Sequence, residues 1–306
     1  MFFRLLRRTL PALLLTLAPL AAQAQDSIPA GQRDTVPKDS LTVIRLRDGS
    51  VLYGRILSED ADRLKVRTVG GLDIDIQRAQ VSSISRTRGR LVGNDEFWAE
   101  DPNGTRLLFT STGRALGKGE GYVSAYYIFL PFVAYGVTDR FTIAGGTPIV
   151  PGVIGRAFYL APKFTIAESE RAAYSVGALS FALTEDIAAG TIGLVYGVGT
   201  WGSRDNAVTA GLGWGYNWGS GDSDMTSAPV LVVGGETRIS RRVKLVTENW
   251  VYTGAVENGG IFSGGFRFIG DRLTSDLGMI GGVGGGGVGC CIPSVNFVWN
   301  FGRTRR

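Results

Sequence analysis

Ala207-Val208-Thr209-Ala210-Gly211-Leu212-Gly213-Trp214-Gly215-Tyr216-Asn217-Trp218-Gly219 alternates without a break. Successive side chains of a strand point to opposite faces. Val208, Ala210, Leu212, Trp214, Tyr216 and Trp218 therefore share one face, and Thr209, Gly211, Gly213, Gly215, Asn217 and Gly219 share the other. Two further stretches repeat the pattern. Residues 260–269 set Phe262, Phe266 and Phe268 against Ser263, Gly265 and Arg267, and residues 293–302 set Val295, Phe297, Trp299 and Phe301 against Ser294, Asn296 and Asn300. A soluble barrel is apolar within and polar without. Here one face holds too many aromatics for water. The pattern fits a barrel whose outer face meets lipid and whose inner face is polar.

Outward from this stretch, the same reading places twelve strands. They lie at about 105–113, 121–137, 140–148, 155–166, 173–183, 189–200, 207–219, 228–238, 243–254, 260–269, 273–281 and 293–302. Most have the length of about 9 to 11 residues that a tilted strand needs to cross a bilayer. The connections alternate in kind. Tight polar turns occur at Thr138-Asp139, Ser203-Arg204-Asp205-Asn206, Ser240-Arg241-Arg242 and Gly270-Asp271-Arg272, and longer or glycine-rich loops at 114–120, 220–227 and 282–292. Outer-membrane barrels pair short periplasmic turns with longer external loops in this way. The expected fold class is all-β: a transmembrane antiparallel up-and-down β-barrel over residues 105–306, of about 12 strands, with 10 or 14 as alternatives. Its two ends would both be periplasmic. The 45 glycines have no three-residue period, which excludes collagen.

The N-terminus reads as an export signal. Arg4, Arg7 and Arg8 form a positive region, residues 9–22 an apolar one, and Ala22-Gln23-Ala24 a small-x-small cleavage site. A signal peptide over 1–24 removes three arginines and no acids, so the formal charge falls from +5 to +2. That balance does not suit a polyanion partner, and no nucleic acid is expected. No later run of about 18 apolar residues exists to make a membrane helix. The chain has no histidine. That removes Ser-His-Asp and Cys-His catalysis, His-based zinc and haem sites, and the usual general base near neutral pH. No enzyme activity, cofactor or metal is expected.

Residues 25–40 are polar, with Pro29, Gly31 and Pro37, and read as a disordered linker. Residues 41–87 read as five short strands. Leu41 to Arg47 alternates, Asp48-Gly49 is a two-residue hairpin signal, Ser50 to Leu57 follows, and further strands cover Leu64 to Val69, Leu72 to Ile76 and Val81 to Ser85. The pattern Asp48-Gly49, Gly54-Arg55-Ile56 and Asp62-Arg63-Leu64-Lys65-Val66 resembles the first half of an Sm-like or SH3-like domain, in which the glycine lets the second strand bend. Ile84-Ser85-Arg86 stands where the second Sm signature would be, so RNA binding is not carried over. The resemblance implies a small adaptor or spacer module. Residues 88–104, with the turn cluster Asp101-Pro102-Asn103-Gly104, read as a second linker.

The last strand resembles the C-terminal signal of outer-membrane proteins, departing from it by the five residues Gly302 to Arg306. Together with Lys118-Gly119-Glu120-Gly121-Tyr122 and Tyr135-Gly136-Val137-Thr138-Asp139-Arg140, it resembles uncharacterised bacterial outer-membrane barrel proteins. The resemblance implies outer-membrane lipid and the barrel-assembly machinery as partners, with a periplasmic partner for the small domain as a further option. It implies no activity.

By strand parity Glu236, Arg238, Lys244, Glu248, Arg267 and Asp276 can all face the lumen. A lipid-facing Arg or Lys at the midplane costs about 2 to 4 kcal/mol, so the inward orientation is strongly preferred. The six form either a charge-lined constriction or a salt-bridge network that fills the lumen. The cancelling signs favour the network. An inward Glu248 carries Trp250 and Tyr252 inward with it unless a bulge intervenes. Cys290 and Cys291 have three options: a vicinal disulfide, a link to a second chain, or free thiols. The glycine run before them lacks the Lys-Ser/Thr of a phosphate loop. Asp222 and Asp224 read as a solvated loop rather than a calcium site. These readings converge on a structural or passive small-solute channel in the outer membrane. An envelope adaptor using residues 41–87 stands second, and a membrane-embedded hydrolase last.

Overall fold

The computed structural model describes residues 40–92, 96–127, 129–184, 190–219, 223–252, 258–270, 272–284 and 287–302. The expected signal peptide, nearly all of the 25–40 linker, Asp222 and the tail arginines Arg303, Arg305 and Arg306 lie outside the described residues.

The first sheet comprises β1 (Ser40–Leu46), β2 (Val51–Glu59), β3 (Arg63–Thr68), β4 (Asp73–Gln77), β5 (Val81–Val92) and β6 (Glu96–Ala99). Its order is β4-β3-β2-β1-β5-β6, all antiparallel. Asp48-Gly49 makes the β1–β2 turn: Gly49 sits at φ +90°, and Ser50 N donates to Asp48 Oδ1 at 2.8 Å. Ile44, Leu64, Val66 and Ile76 form the buried core. Each contributes about 1.5 to 3 kcal/mol by leaving water. Gly54 must be glycine, because a Cβ there would lie 2.3 Å from Arg67 O where β2 bends over β3. One expectation is corrected. Residues 88–104 are not a linker: β5 continues to Val92, and β6 pairs back onto it.

The second sheet is a closed antiparallel barrel. Its wall strands are β7 (Gly121–Tyr126), β8 (Leu130–Gly136), β9 (Phe141–Gly146), β10 (Ala157–Glu168), β11 (Ala172–Leu183), β12 (Gly190–Gly202) and β13 (Asn206–Gly219). A short β14 (Ser223–Met225) flanks β13. The wall continues with β15 (Val230–Ser240), β16 (Val243–Tyr252), β17 (Gly259–Ile269), β18 (Leu273–Gly284) and β19 (Gly287–Phe301). β13 pairs directly with β15, and β19 closes on β7 from Asn296↔Tyr126 to Phe301↔Gly121. Twelve strands thus make the wall, as the sequence predicts.

The pleat sorts the side chains. Val208, Trp218, Phe266 and Trp299 are 55%, 65%, 46% and 49% exposed on the outer face, while Thr209, Arg267 and Asn300 on the alternate positions are buried. An outer wall this apolar, on strands mostly 10 to 15 residues long, is a lipid-facing surface. No helix among the described residues is long and apolar enough to cross a membrane.

Two strand assignments change, and they offset in the count. Residues 105–113 are not a wall strand; they lie inside the barrel. Residues 121–137 are two strands, split at Tyr127, whose φ is +50°. The 114–120 stretch is consequently not an outer loop. Gly119 N donates to Gly136 O and Lys118 N to Asp139 Oδ1, both at 2.9 Å, which places it at the end where the wall starts and finishes. The 282–292 loop also shrinks, because β18 and β19 extend through most of it.

Candidate functional site

Residues 101–116 form a re-entrant hairpin that fills the lumen. Asp101 Oδ1 accepts from Asn103 N at 2.9 Å and starts the inward turn. Arg106 and Ser111 pair across the hairpin, Thr112 N donates to Thr105 O at 2.9 Å, and Leu107 N donates to Thr110 O at 2.8 Å at the apex. The wall holds the hairpin by its backbone as well. Gly113 N donates to Thr200 Oγ1 at 2.9 Å, Ser175 Oγ donates to Gly113 O at 2.7 Å, and Tyr126 Oη donates to Leu108 O at 2.6 Å. Leu107 and Leu108 pack on Val246.

Charges carry most of the interface. Arg114 pairs with Glu236 at 2.6 Å, Glu236 with Lys244 at 2.8 Å, and Lys244 with Asp101 at 3.0 Å. Asp101 meets Arg267 at 3.3 Å, Arg267 meets Asp276 at 2.7 Å, and Asp276 meets Arg106 at 2.6 Å. The result is one chain of alternating sign. Arg114, Asp101 and Arg106 come from the hairpin; Glu236, Lys244, Arg267 and Asp276 come from β15, β16, β17 and β18. Every member is nearly or fully buried. Such groups are tolerable away from bulk water only because each is paired.

Two further wall charges stand apart from this chain. Lys163 on β10 donates to Arg114 O at 2.8 Å, Thr112 O at 3.1 Å and Thr105 O at 3.5 Å. Glu248 on β16 accepts from Phe109 N at 2.9 Å, Thr110 N at 3.0 Å and Thr110 Oγ1 at 2.7 Å, and from Trp250 Nε1 at 2.7 Å. Among the described residues neither has an oppositely charged partner within salt-bridge distance.

The first sheet meets the barrel beside the hairpin's entry. Arg238 pairs with Asp205 at 3.2 Å and donates to Ala99 O at 2.7 Å, and Arg90 also pairs with Asp205. Both guanidinium groups lie over the Trp98 ring, at 5.4 and 5.2 Å. Arg204 reaches Glu100 at 2.8 Å. The same 203–206 turn offers Ser203 O to Arg114 and Arg204 O to Lys244. It therefore touches both sheet and hairpin.

Of the six charges singled out by parity, the structure pairs Glu236 with Lys244 and Arg267 with Asp276 directly, and Asp101 joins the two pairs. Arg238 belongs to the Asp205 cluster, and Glu248 is satisfied by N–H and O–H donors. Trp250 shares the face of Glu248 and donates to it. Cys290 and Cys291 are joined as a vicinal disulfide, exposed at a bulge where both oppose Gly281. Asp224 lies on β14, and its Oδ1 accepts from Met225 N at 2.8 Å. Sequence reasoning missed Asp101, Arg106, Arg114 and Lys163. The available signal was arithmetic: 121–137 is too long for one crossing and contains Pro131, and splitting it makes thirteen strands. Single-chain outer-membrane barrels of bacteria have even numbers, so one segment had to leave the wall.

These features define a class: a transmembrane antiparallel barrel occupied by its own re-entrant hairpin. No protein-family model matches the chain, and no curated protein matches it. Among solved structures, it is similar to the KdgM porin in complex with disordered oligogalacturonate, at 7% identity and a TM-score of 0.42, over 60% of this chain and 98% of that one. It is also similar to outer-membrane expressed OmpT of Vibrio cholerae, at 11% identity and a TM-score of 0.37, over 86% of this chain and 95% of that one.

Proposed function

We propose that the protein is an outer-membrane channel for small solutes, held shut by residues 101–116, with the first sheet in the periplasm and no catalytic role. One observation carries the reading: ion pairs and hydrogen bonds dominate the interface between hairpin and wall, with apolar packing confined to a few contacts such as Leu107 and Leu108 on Val246. A permanent filler gains as much stability from well-packed apolar side chains as from buried ion pairs. An ionic interface differs in what happens on opening. Each separated charge regains water in the lumen, so the open state lies only modestly above the closed one. β19, with Val295, Phe297, Trp299 and Phe301 outward, is the segment we assign to the assembly machinery.

The test compares the full chain with a variant whose residues 101–116 are replaced by a Gly-Ser linker of equal length, in planar bilayers. The wild type should conduct rarely and the variant in defined steps. Silence from both would make the barrel structural. Equal conduction by both would remove the hairpin's role as gate.

A further inference from the structure

Removing the hairpin in thought leaves an uneven wall. Glu236 keeps Lys244, Arg267 keeps Asp276, and Arg238 keeps Asp205, because each pair lies within the wall itself. Lys163 and Glu248 have no salt-bridge partner among the described residues of the wall. Lys163 is 4% exposed and Glu248 is fully buried. β10 and β16 lie five strand steps apart one way round the wall and seven the other. A cation and an anion thus stand on well-separated strands of the lumen wall, Lys163 towards the hairpin's base and Glu248 at its apex.

What satisfies them in the closed state is peptide backbone. Three hairpin carbonyl oxygens surround the Lys163 ammonium, and two hairpin N–H groups with the Thr110 hydroxyl surround the Glu248 carboxylate. The hairpin stands where a carboxylate and an ammonium of a solute can stand. We infer that the channel recognises short zwitterionic peptides, with the peptide carboxylate on Lys163 and the peptide ammonium on Glu248, and that the hairpin is the internal competitor they displace. This rests on the gated-channel reading.

The alternatives gain less. In the open, wet lumen both groups are hydrated and Glu248 keeps the Trp250 Nε1 donor, so an anion pairs only with Lys163, a cation only with Glu248, and a neutral solute with neither. A zwitterion pairs with both, replacing bonds in which only one group is ionised by ion pairs in which both are.

The experiment uses tri-alanine and N-acetyl-tri-alanine amide, which differ mainly at the two terminal charges. In the linker variant, tri-alanine should interrupt the current with dwell times about tenfold longer than the blocked peptide, the effect of one retained charge-assisted bond. In the wild type, tri-alanine should raise the frequency of opening and the blocked peptide should not. Lys163→Met and Glu248→Gln in the linker variant should each reduce the difference and together erase it, and Lys163→Arg should keep it. Heat-dependent gel migration verifies that each variant is folded. Equal dwell times in a conducting linker variant would overturn the inference and leave the channel reading standing. So would a preference left undiminished by Lys163→Met together with Glu248→Gln. A folded linker variant that never conducts would remove both.

Discussion

Arg267 directs every guanidinium nitrogen into the lumen. Nε donates to Asp276 Oδ1 at 2.7 Å; Nη1 reaches Asp101 Oδ2, Asn103 O and Arg106 O; Nη2 reaches Leu107 O at 2.6 Å. It bonds wall to hairpin, and its neighbours set the size of its effect. Removing one partner of a buried pair costs about 3 to 5 kcal/mol. Here Asp101 retains Lys244 and Asp276 retains Arg106, so Arg267→Met should fall near the lower end. The temperature at which the barrel loses its fast migration in detergent should drop accordingly. With Asp276→Asn already present the same change should cost about 1 to 3 kcal/mol less, the range of couplings between contacting groups. A stabilising Arg267→Met would put the side chain in lipid and dissolve the chain of ions. Alternation along β17 sets Arg267 opposite Phe266 and Phe268 from sequence alone. Nothing local brings Asp101 or Arg106 beside it, more than 160 residues away. Parity orients a side chain but does not tell what fills the space it points into.

The hairpin is the element where sequence and structure part. Thr105 to Gly113 looks like a strand because Leu107-Leu108-Phe109 sits among threonines. A wall strand, however, needs one wholly apolar face. On this stretch Arg106 and Arg114 share a face with Leu108, and Thr105, Ser111 and Gly113 share the other with Leu107 and Phe109. The wall strands were legible because lipid imposes alternation on them. The hairpin meets charged side chains of β10 and β15 to β18 but apolar ones such as Val246 and the Tyr126 ring elsewhere, so no single periodicity marks it. Its seating depends on Gly113, where a Cβ would lie 2.1 Å from Ala173 O. Gly113→Val should therefore unseat the hairpin. Thermolysin should then cut at Leu107 or Leu108, which are buried in the wild type. At Gly104 the nearest atom to an added Cβ is 3.6 Å away, an ordinary contact, so Gly104→Ala should stay protected. Protection of Gly113→Val equal to that of Gly104→Ala would show that the close approach does not govern seating.

At the scale of the whole molecule, an even number of wall strands puts Gly121 and Phe301 at the same end, where they pair. The first sheet must be at that end too, since Arg238 holds Ala99 O and Arg241 lies 5.8 Å from the Tyr53 ring centroid. The turn at Arg241-Arg242 therefore shares a side of the membrane with the sheet, and the 220–227 stretch after β13 opens on the other. In the proposed orientation, export through the expected signal peptide and assembly from the periplasmic side keep both barrel ends on that side. An epitope tag within 220–227 should accordingly bind antibody on intact cells. A tag between Arg241 and Arg242 should bind only after the outer membrane is permeabilised. The second tag also disturbs the Arg241–Tyr53 contact, so its folding must be verified by heat-dependent migration. If the 241–242 tag were reached on intact cells and the 220–227 tag were not, the sheet would lie outside the cell. The hairpin would then enter the lumen from the external side, and the proposed orientation of the channel would be reversed.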